Sequence, residues 1–124
     1  MKRIVIALLC AAVCLVTAAG PKSKTVVVNT TKSGKAVMGF AGTTPVEITV
    51  TDGKVEKVVA LPNKETPEYF QKVLDSPIFT KLLGKTVQEA SQVQLDAVSG
   101  ATFSSKAVIE NINIGLKEAA KKVK

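Results

Sequence analysis

The sequence predicts an α+β fold, in which a small antiparallel sheet of three to four strands packs against a long C-terminal helix and two short helices. Residues 46–51 alternate apolar and polar side chains, as in a strand with one buried face, and the Asp52-Gly53 pair after them is a strong hairpin signal. From Ser105 onward, apolar residues recur at helical spacing along one stripe. The strands come first and the helices follow on one face of the sheet, which is the arrangement of an α+β domain.

The N-terminal 19 residues have the layout of a secretory signal peptide. Lys2 and Arg3 precede an unbroken apolar run at 4–16, and small residues at 17–19 suit cleavage. The run is short for a bilayer-spanning helix, which needs about 20 residues, so an uncleaved anchor is the less favoured alternative. We therefore expect a signal peptide at 1–19, a flexible leader at 20–24 and one domain at 25–124. The protein is then exported, to the periplasm or the outer face of the cytoplasmic membrane.

The composition excludes several kinds of chemistry. Both cysteines, Cys10 and Cys14, lie in the predicted signal peptide, and the sequence contains no histidine. The remaining domain therefore has no thiol nucleophile, imidazole base or His-ligated metal, and little catalysis is expected without a cofactor. The net charge is +7, but Arg3 is the only arginine and only 4% of residues are aromatic. Bidentate base contacts and stacking platforms are thus poorly supported, and we expect no nucleic-acid partner.

Strands are expected at residues 25–28, 36–42, 46–51 and 55–61. Gly39 interrupts the second strand and Gly42 closes it, which indicates either a bulge or the close approach of a ligand or another backbone. The hairpin turn sets Val50 opposite Val55 and Ile48 opposite Lys57. The second pair is a mismatch, so either Lys57 lies near an edge or a bulge shifts it.

Two short helical segments are expected after the sheet. Pro67 suits the first turn of a helix over 68–74, and a second segment follows Pro77 and ends at Gly84. The expected inward-facing residues of the two segments are Phe70, Val73, Leu74, Ile78, Leu82 and Leu83.

Residues 87–95 are ambiguous, and the alternation of Val93 and Leu95 with glutamines favours a short strand that leads into Asp96. The last helix is clearer. Its apolar stripe, which must pack on the sheet, comprises Val108, Ile112, Leu116, Ala119 and Val123.

The stretch Asp96-Ala97-Val98-Ser99-Gly100-Ala101-Thr102 carries the clearest functional signal. It places the Thr102 hydroxyl just before a helix that Ser104 and Ser105 are expected to begin. A helix N-terminus leaves N–H groups free and carries partial positive charge, so it attracts phosphate. The simpler interpretation is a turn with a serine-capped helix. However, Asp-x-x-Ser-Gly-Ala-Thr fixes five positions and should arise by chance in about one window per million.

This stretch, with Ser104-Ser105-x-Ala107-Val108 after it, resembles the flavinylation motif of the bacterial FMN-binding domain family. That family includes the covalent-flavin subunits of the Na⁺-translocating quinone reductase and of the Rnf electron-transfer complex. The resemblance extends to the glycine-flanked residues 39–42, the 45–51 strand, the Glu65-Thr66-Pro67 loop and the final helix, and so covers most of the mature chain. The chain departs from the family at Glu68, where a glycine usually follows Glu-Thr-Pro.

The resemblance implies that a secreted flavin transferase, which uses FAD and Mg²⁺, attaches FMN to Thr102 through a phosphoester. Hydroxyls of Ser104 and Ser105 are then expected at the phosphodiester, and Asp96 is expected to bond backbone N–H groups of the turn. For Glu65 a solvated loop position is the simpler interpretation. Tyr69, Phe70 and Phe103 can border the flavin ring or belong to the core. The implied cofactor-binding residues are Thr102, Ser99, Gly100, Ala101, Ser104, Ser105, Asp96, Glu65 and Thr66.

The expected function is that of an exported flavoprotein that carries electrons through covalent FMN. It is an electron-transfer domain or subunit more than a stand-alone enzyme, and its partners are the flavin transferase and redox proteins, membrane-bound ones included. The alternative is a module that binds FMN or another phosphorylated ligand without a covalent bond. A purely structural surface protein is the third hypothesis.

Overall fold

The computed structural model describes residues 24–123. The predicted signal peptide at 1–19 and the predicted leader up to residue 23 lie outside the described residues, as does Lys124. In the described part, three strands precede the helices, which confirms the α+β class. The elements are β1 (Thr25–Asn29), β2 (Val46–Thr51), β3 (Lys54–Ala60), α1 (Pro67–Leu74), a 3₁₀ helix (Pro77–Phe79), α2 (Val87–Ser91) and α3 (Thr102–Lys122).

The strands form one antiparallel sheet in the order β1-β2-β3. The predicted alternation of β2 is confirmed, because Val46, Ile48 and Val50 are buried and the polar residues between them are half-buried. Asp52 and Gly53 have φ angles of 52° and 80°. Positive φ at both central positions is what a two-residue type I′ hairpin needs.

A β-bulge sets the register of the hairpin. Val50 pairs with Val55 as predicted, but the next pair is Thr49 with Lys57, which leaves Glu56 as an extra residue. Because side chains alternate with period two, this insertion places Lys57 on the outer face and Val58 on the inner face, opposite Ile48, whereas Val59 is 42% exposed. Of the two explanations for the predicted mismatch at Lys57, the bulge is therefore the one that the structure shows.

The predicted strand at 36–42 is wrong. After a turn at 31–36, Met38 and Thr43 form only an isolated bridge, and the N–H of Gly39 donates to the carbonyl of Gly42 at 2.7 Å. The chain therefore closes a tight loop at 38–43. Its amide groups cannot extend a ladder, because they bond to a side chain far along the chain.

Two of the inward-facing positions predicted for the short helical segments are also wrong. Phe70, Val73, Ile78 and Leu82 are buried, but Leu74 is 44% exposed and Leu83 is 42% exposed. α1 ends at Leu74, and only a short 3₁₀ helix follows at 77–79. The helical stripe therefore breaks at both leucines, so neither reaches the core.

The ambiguous segment 87–95 contains α2 at Val87–Ser91, and the short strand favoured before Asp96 is absent, because residues 92–95 are a turn and irregular chain. Thr86 accepts from the Glu89 N–H at 3.1 Å, and the Glu89 carboxylate accepts from the Thr86 N–H at 3.0 Å, which is a capping box. Val87 and Ala90, three residues apart, are buried on one side of this helix. The capping box therefore accounts for the helix at 87–91, a signal that the sequence analysis did not use.

α3 covers the inner face of the sheet with the predicted stripe. Val108, Ile112, Leu116 and Ala119 are buried, and Val123 packs against the same core. A Cβ at Gly115 would lie 2.7 Å from the Ile48 Cδ1, so the glycine lets the helix approach β2 closely. Among residues 24–123, none of the helices has the length and hydropathy needed to cross a membrane.

Candidate functional site

The motif threonine is the first residue of α3. Ala101 precedes the helix without a side-chain cap, and the Ser105 N–H donates to the Ala101 carbonyl at 2.9 Å. The N–H groups of Thr102, Phe103 and Ser104 have no acceptor within residues 24–123. A 21-residue helix therefore presents free donors and partial positive charge beside the exposed Thr102. The helix starts three residues before the predicted start at Ser105.

A glycine turn joins the motif to the helix. Gly100 has a φ angle of 85°, and the Ala101 N–H donates to the Val98 carbonyl at 3.0 Å. The hydroxyl of Ser105 accepts from the Val98 N–H at 2.8 Å and donates to the Thr102 carbonyl at 3.1 Å. These bonds hold the turn against the first helical turn, so the local geometry around Thr102 is well defined.

The parts expected of Asp96 and Ser105 are corrected by these contacts. Asp96 is exposed and makes no side-chain hydrogen bond to the described residues, so it does not organise the turn. Ser105 does so instead, through the Val98 N–H. Ser105 is 0% exposed, and its hydroxyl is committed to the backbone rather than to a ligand.

Glu65 is buried and not a solvated loop residue. Its exposed fraction is 5%. Its carboxylate accepts from the N–H groups of Phe40 at 2.8 Å, Ala41 at 2.6 Å and Gly42 at 3.0 Å. It also accepts from the hydroxyl of Ser104. One carboxylate therefore joins the 38–43 loop to the N-terminal turn of α3. The Ser104 hydroxyl, which the resemblance implied as a partner of the phosphodiester, is hydrogen-bonded to this carboxylate instead.

The hydrogen bonds keep Glu65 ionised. Burial favours the neutral acid and by itself raises the pKa, but the Ser104 hydroxyl and the three loop N–H groups stabilise the charged form. Their combined effect is larger, so the pKa of Glu65 lies below its ordinary value of 4.5. At neutral pH the side chain is a buried, fully bonded carboxylate.

Acidification is expected to release the 38–43 loop. Because the pKa of Glu65 is lower in the folded state than in the unfolded state, the stabilisation by its carboxylate is complete above about pH 4.5 and is lost as the pH falls through the folded-state pKa. Amide hydrogen exchange of residues 40–42, corrected for the intrinsic rate, should show protection that is constant above about pH 4.5 and decreases as the pH is lowered below that value. Glu65→Gln should remove this pH dependence. If the amides of residues 40–42 in the unmodified protein stay protected down to the pH at which the whole domain unfolds, the Glu65 carboxylate does not hold the loop.

A shallow pocket of about 240 Å³ lies beside Thr102, and aromatic side chains surround it. Phe40 and Phe103 are 67% and 66% exposed, and their ring centroids are 6.3 Å apart. Tyr69, 48% exposed, forms another part of the wall, whereas Phe70 is buried in the core. Phe40 escaped the sequence analysis because residues 36–42 resembled a strand.

The structure brings only part of the predicted set together. Gly100, Ala101, Thr102 and Ser104 line the pocket, and Glu65 lies directly behind Ser104. The other predicted residues lie elsewhere. Asp96 borders a separate open groove of about 590 Å³ along α3, and Ser99 is exposed in the turn. Thr66 is the N-cap of α1, where its carbonyl accepts the N–H groups of Tyr69 and Phe70 at 3.0 and 2.8 Å.

Lys72 adds a cation that the sequence analysis missed. Its Nζ lies 2.7 Å from the point that a Cβ on Gly100 would occupy and 5.9 Å from the centre of the Tyr69 ring. The missing side chain of Gly100 thus leaves room for an ammonium group beside the motif turn. The spacing of Tyr69 and Lys72, three residues apart on α1, was the only signal available in the sequence.

These groups suit a ligand that has an anionic end and a flat ring. Free N–H groups and an ammonium group are typical phosphate partners, and the exposed aromatic rings offer contact area for a planar group. FMN has both parts, so Thr102, Phe103 and Lys72 would hold its phosphate end while the aromatic side chains border its ring.

Comparison with known proteins agrees with this geometry. The family model for the FMN-binding domain matches residues 39–117. No significant match was found among curated proteins or among solved structures. The matched range begins at the 38–43 loop and includes Glu65, the pocket and most of α3. The chain therefore belongs to the FMN-binding domain family.

Proposed function

We propose that this protein is an exported electron carrier whose FMN is joined to Thr102 through a phosphoester. The observation that carries the proposal is the position of Thr102, an exposed hydroxyl residue at the start of α3 beside three N–H groups that have no acceptor among residues 24–123. The motif before it and the predicted signal peptide at 1–19 support the covalent linkage and the export.

The N-terminus of α3 suits a phosphodiester on Thr102. The free N–H groups of Thr102, Phe103 and Ser104 can bond its oxygens, and the helix dipole favours its negative charge by about 0.3–1 kcal/mol. Lys72 adds a positive charge at Gly100, two residues from the ester. The hydroxyls of Ser104 and Ser105 are engaged elsewhere, so backbone groups and Lys72 are the phosphate partners in this proposal.

In the transfer reaction, this chain supplies only the acceptor hydroxyl. The Thr102 Oγ forms a bond to the phosphorus of the FMN half of FAD, the bond to the AMP half breaks, and AMP leaves with the electron pair. The hydroxyl proton passes to a base of the transferase, because the chain has no histidine and the Glu65 carboxylate is fully hydrogen-bonded. This chain therefore supplies an accessible acceptor, and the transferase supplies the catalysis with its Mg²⁺.

The small pocket favours covalent retention over reversible binding. Its volume of about 240 Å³ is below the roughly 300–1,000 Å³ typical of sites that enclose a small molecule. A site this shallow covers only part of a flavin, so reversible affinity would be modest, whereas an ester keeps the cofactor at a high effective concentration. When bound, FMN supplies one- or two-electron transfer. Phe40, Tyr69 and Phe103 border it and leave an open side for redox partners.

Mass spectrometry of the full chain, produced with and without a secreted flavin transferase, tests the proposal. We expect an added FMN phosphoester mass only with the transferase, and peptide mapping should place it on Thr102. After denaturing electrophoresis, the band should fluoresce under ultraviolet light. Flavin that leaves the band on denaturation would favour the non-covalent module, and a colourless protein would favour the structural surface protein.

A further inference from the structure

We propose that Glu65 is a positioning residue that locks together two walls of the flavin pocket beside Thr102. One wall is the 38–43 loop, which carries Phe40, and the other is the first turn of α3, which carries Thr102 and Phe103. The inference rests on the proposed function for its consequence in the flavin, but the lock itself is a property of the protein without cofactor.

The carboxylate bonds both walls at once. Its Oε1 accepts from the Phe40 N–H at 2.8 Å and from the Ser104 hydroxyl, so a single oxygen bridges loop and helix. Its Oε2 accepts from the Ala41 and Gly42 N–H groups at 2.6 and 3.0 Å. Phe103 is the chain neighbour of Ser104, which means that the bridge fixes the backbone beneath the Phe40 and Phe103 rings.

Little else within the described residues holds the loop in place. No residue at 38–42 is buried, and Met38 and Phe40 are 61% and 67% exposed. Apart from the bonds to Glu65, the loop has its internal bridge between Met38 and Thr43, the bond between Gly39 and Gly42, and the contact of the exposed Phe40 and Phe103 rings. A segment with so few apolar contacts opens easily, so its order depends on the carboxylate.

Glu65 positions the flavin by ordering the two pocket walls that it joins, and not by direct contact with the flavin. An ionised carboxylate has about four lone-pair sites, and four donors already use them. The resemblance implied a cofactor contact for this residue, whereas its bonding leaves no acceptor for a ligand. Glutamine is a poor replacement, because its NH₂ group would face the N–H donors of the loop.

The absence of a side chain at Gly39 allows the Glu65 carboxylate to lie against the loop. A Cβ there would lie 2.6 Å from the Glu65 Oε1 and 3.0 Å from its Cδ. The glycine therefore makes room for the carboxylate, and alanine would push it out of the loop. Gly42 differs, since a Cβ there would meet only the Lys64 Cβ at 3.9 Å, an ordinary contact.

Glu65→Gln and Gly39→Ala provide the test, with Glu89→Gln and Gly42→Ala as matched controls. Glu89 is also a hydrogen-bonded carboxylate, but it caps α2 away from the pocket. In protein without flavin, we expect amide protection of residues 40–42 to fall at least about tenfold in both test variants while the core amides keep theirs. The double variant should lose little more than either single one, and both controls should match the unmodified protein.

The flavin provides the second measurement. In transferase-treated protein, we expect both test variants to carry FMN but to lose the visible circular dichroism of the unmodified form, because the ring is no longer held by ordered walls. Unchanged amide protection, or a global loss of structure in both variants, would overturn the proposal, since a lock on an exposed loop predicts a local effect. If the unmodified protein accepts no FMN, the proposed function fails, and the exchange experiment still decides whether Glu65 is the lock.

Discussion

Thr102→Ala is expected to abolish covalent FMN completely. The substitution removes the only oxygen atom proposed to bear the ester, and alanine has no side-chain oxygen that could accept FMN. The fold should be unaffected, because Thr102 is exposed and the helix has no side-chain cap at its start. We expect the free energy of unfolding to change by no more than about 0.5 kcal/mol. Intact mass and in-gel fluorescence after transferase treatment measure the first effect, and denaturant unfolding measures the second.

Two variants control this experiment. Thr102→Ser keeps the hydroxyl and should retain the adduct, while Thr31→Ala removes an exposed threonine from the turn after β1 and should be modified normally. An FMN adduct that survives in Thr102→Ala would show that another residue is modified. An adduct lost equally in Thr31→Ala would show that the effect is not specific to the site.

Lys72→Glu is expected to slow FMN transfer at least about tenfold, which corresponds to about 1.4 kcal/mol of transition-state stabilisation. The substitution replaces an ammonium group at Gly100 by a carboxylate, so attraction of the incoming phosphate becomes repulsion. Lys72→Met removes the charge but keeps much of the side-chain length, and its rate should fall between the two. The initial rate of adduct formation, at low concentrations of the acceptor protein, gives the measurement.

The location of the charge is the point that needs a control. Lys57→Glu changes the net charge by the same amount, but Lys57 lies on the outer face of the sheet, opposite Thr49. Its rate should stay close to that of the unmodified protein. The deficit of Lys72→Glu should also shrink at high ionic strength, because salt screens exposed charges. Equal slowing by the two reversals would assign the effect to net charge instead of to Lys72.

Elements whose signals are local could be predicted from the sequence. The hairpin at Asp52-Gly53, the alternation of β2 and the stripe of α3 each depend on contacts two to four residues apart, and all three are confirmed. The bulge at Glu56 was one of two stated alternatives for the mismatch at Lys57, because the pattern shows a conflict without showing how it is resolved.

The predictions that were wrong concern residues whose conformation depends on a side chain far away in the sequence. The strand predicted at 36–42 is a loop, since its amides bond to Glu65, which lies 23 to 25 residues further along the chain. The helix start at Ser105 was three residues late for a similar reason. Serine is typical of N-caps, but Ser104 donates to Glu65 and Ser105 bonds Val98, so neither caps the helix.

The sequence by itself determined the family resemblance, the α+β class and the position of Thr102 at a helix N-terminus. The motif and the helical stripe are contiguous in the chain, and this makes them visible without a structure. Only the tertiary structure decided what surrounds that threonine. Phe40 lines the pocket beside it, Glu65 accepts the Ser104 hydroxyl and Lys72 lies at Gly100, and these distances between separate segments are encoded by no local pattern.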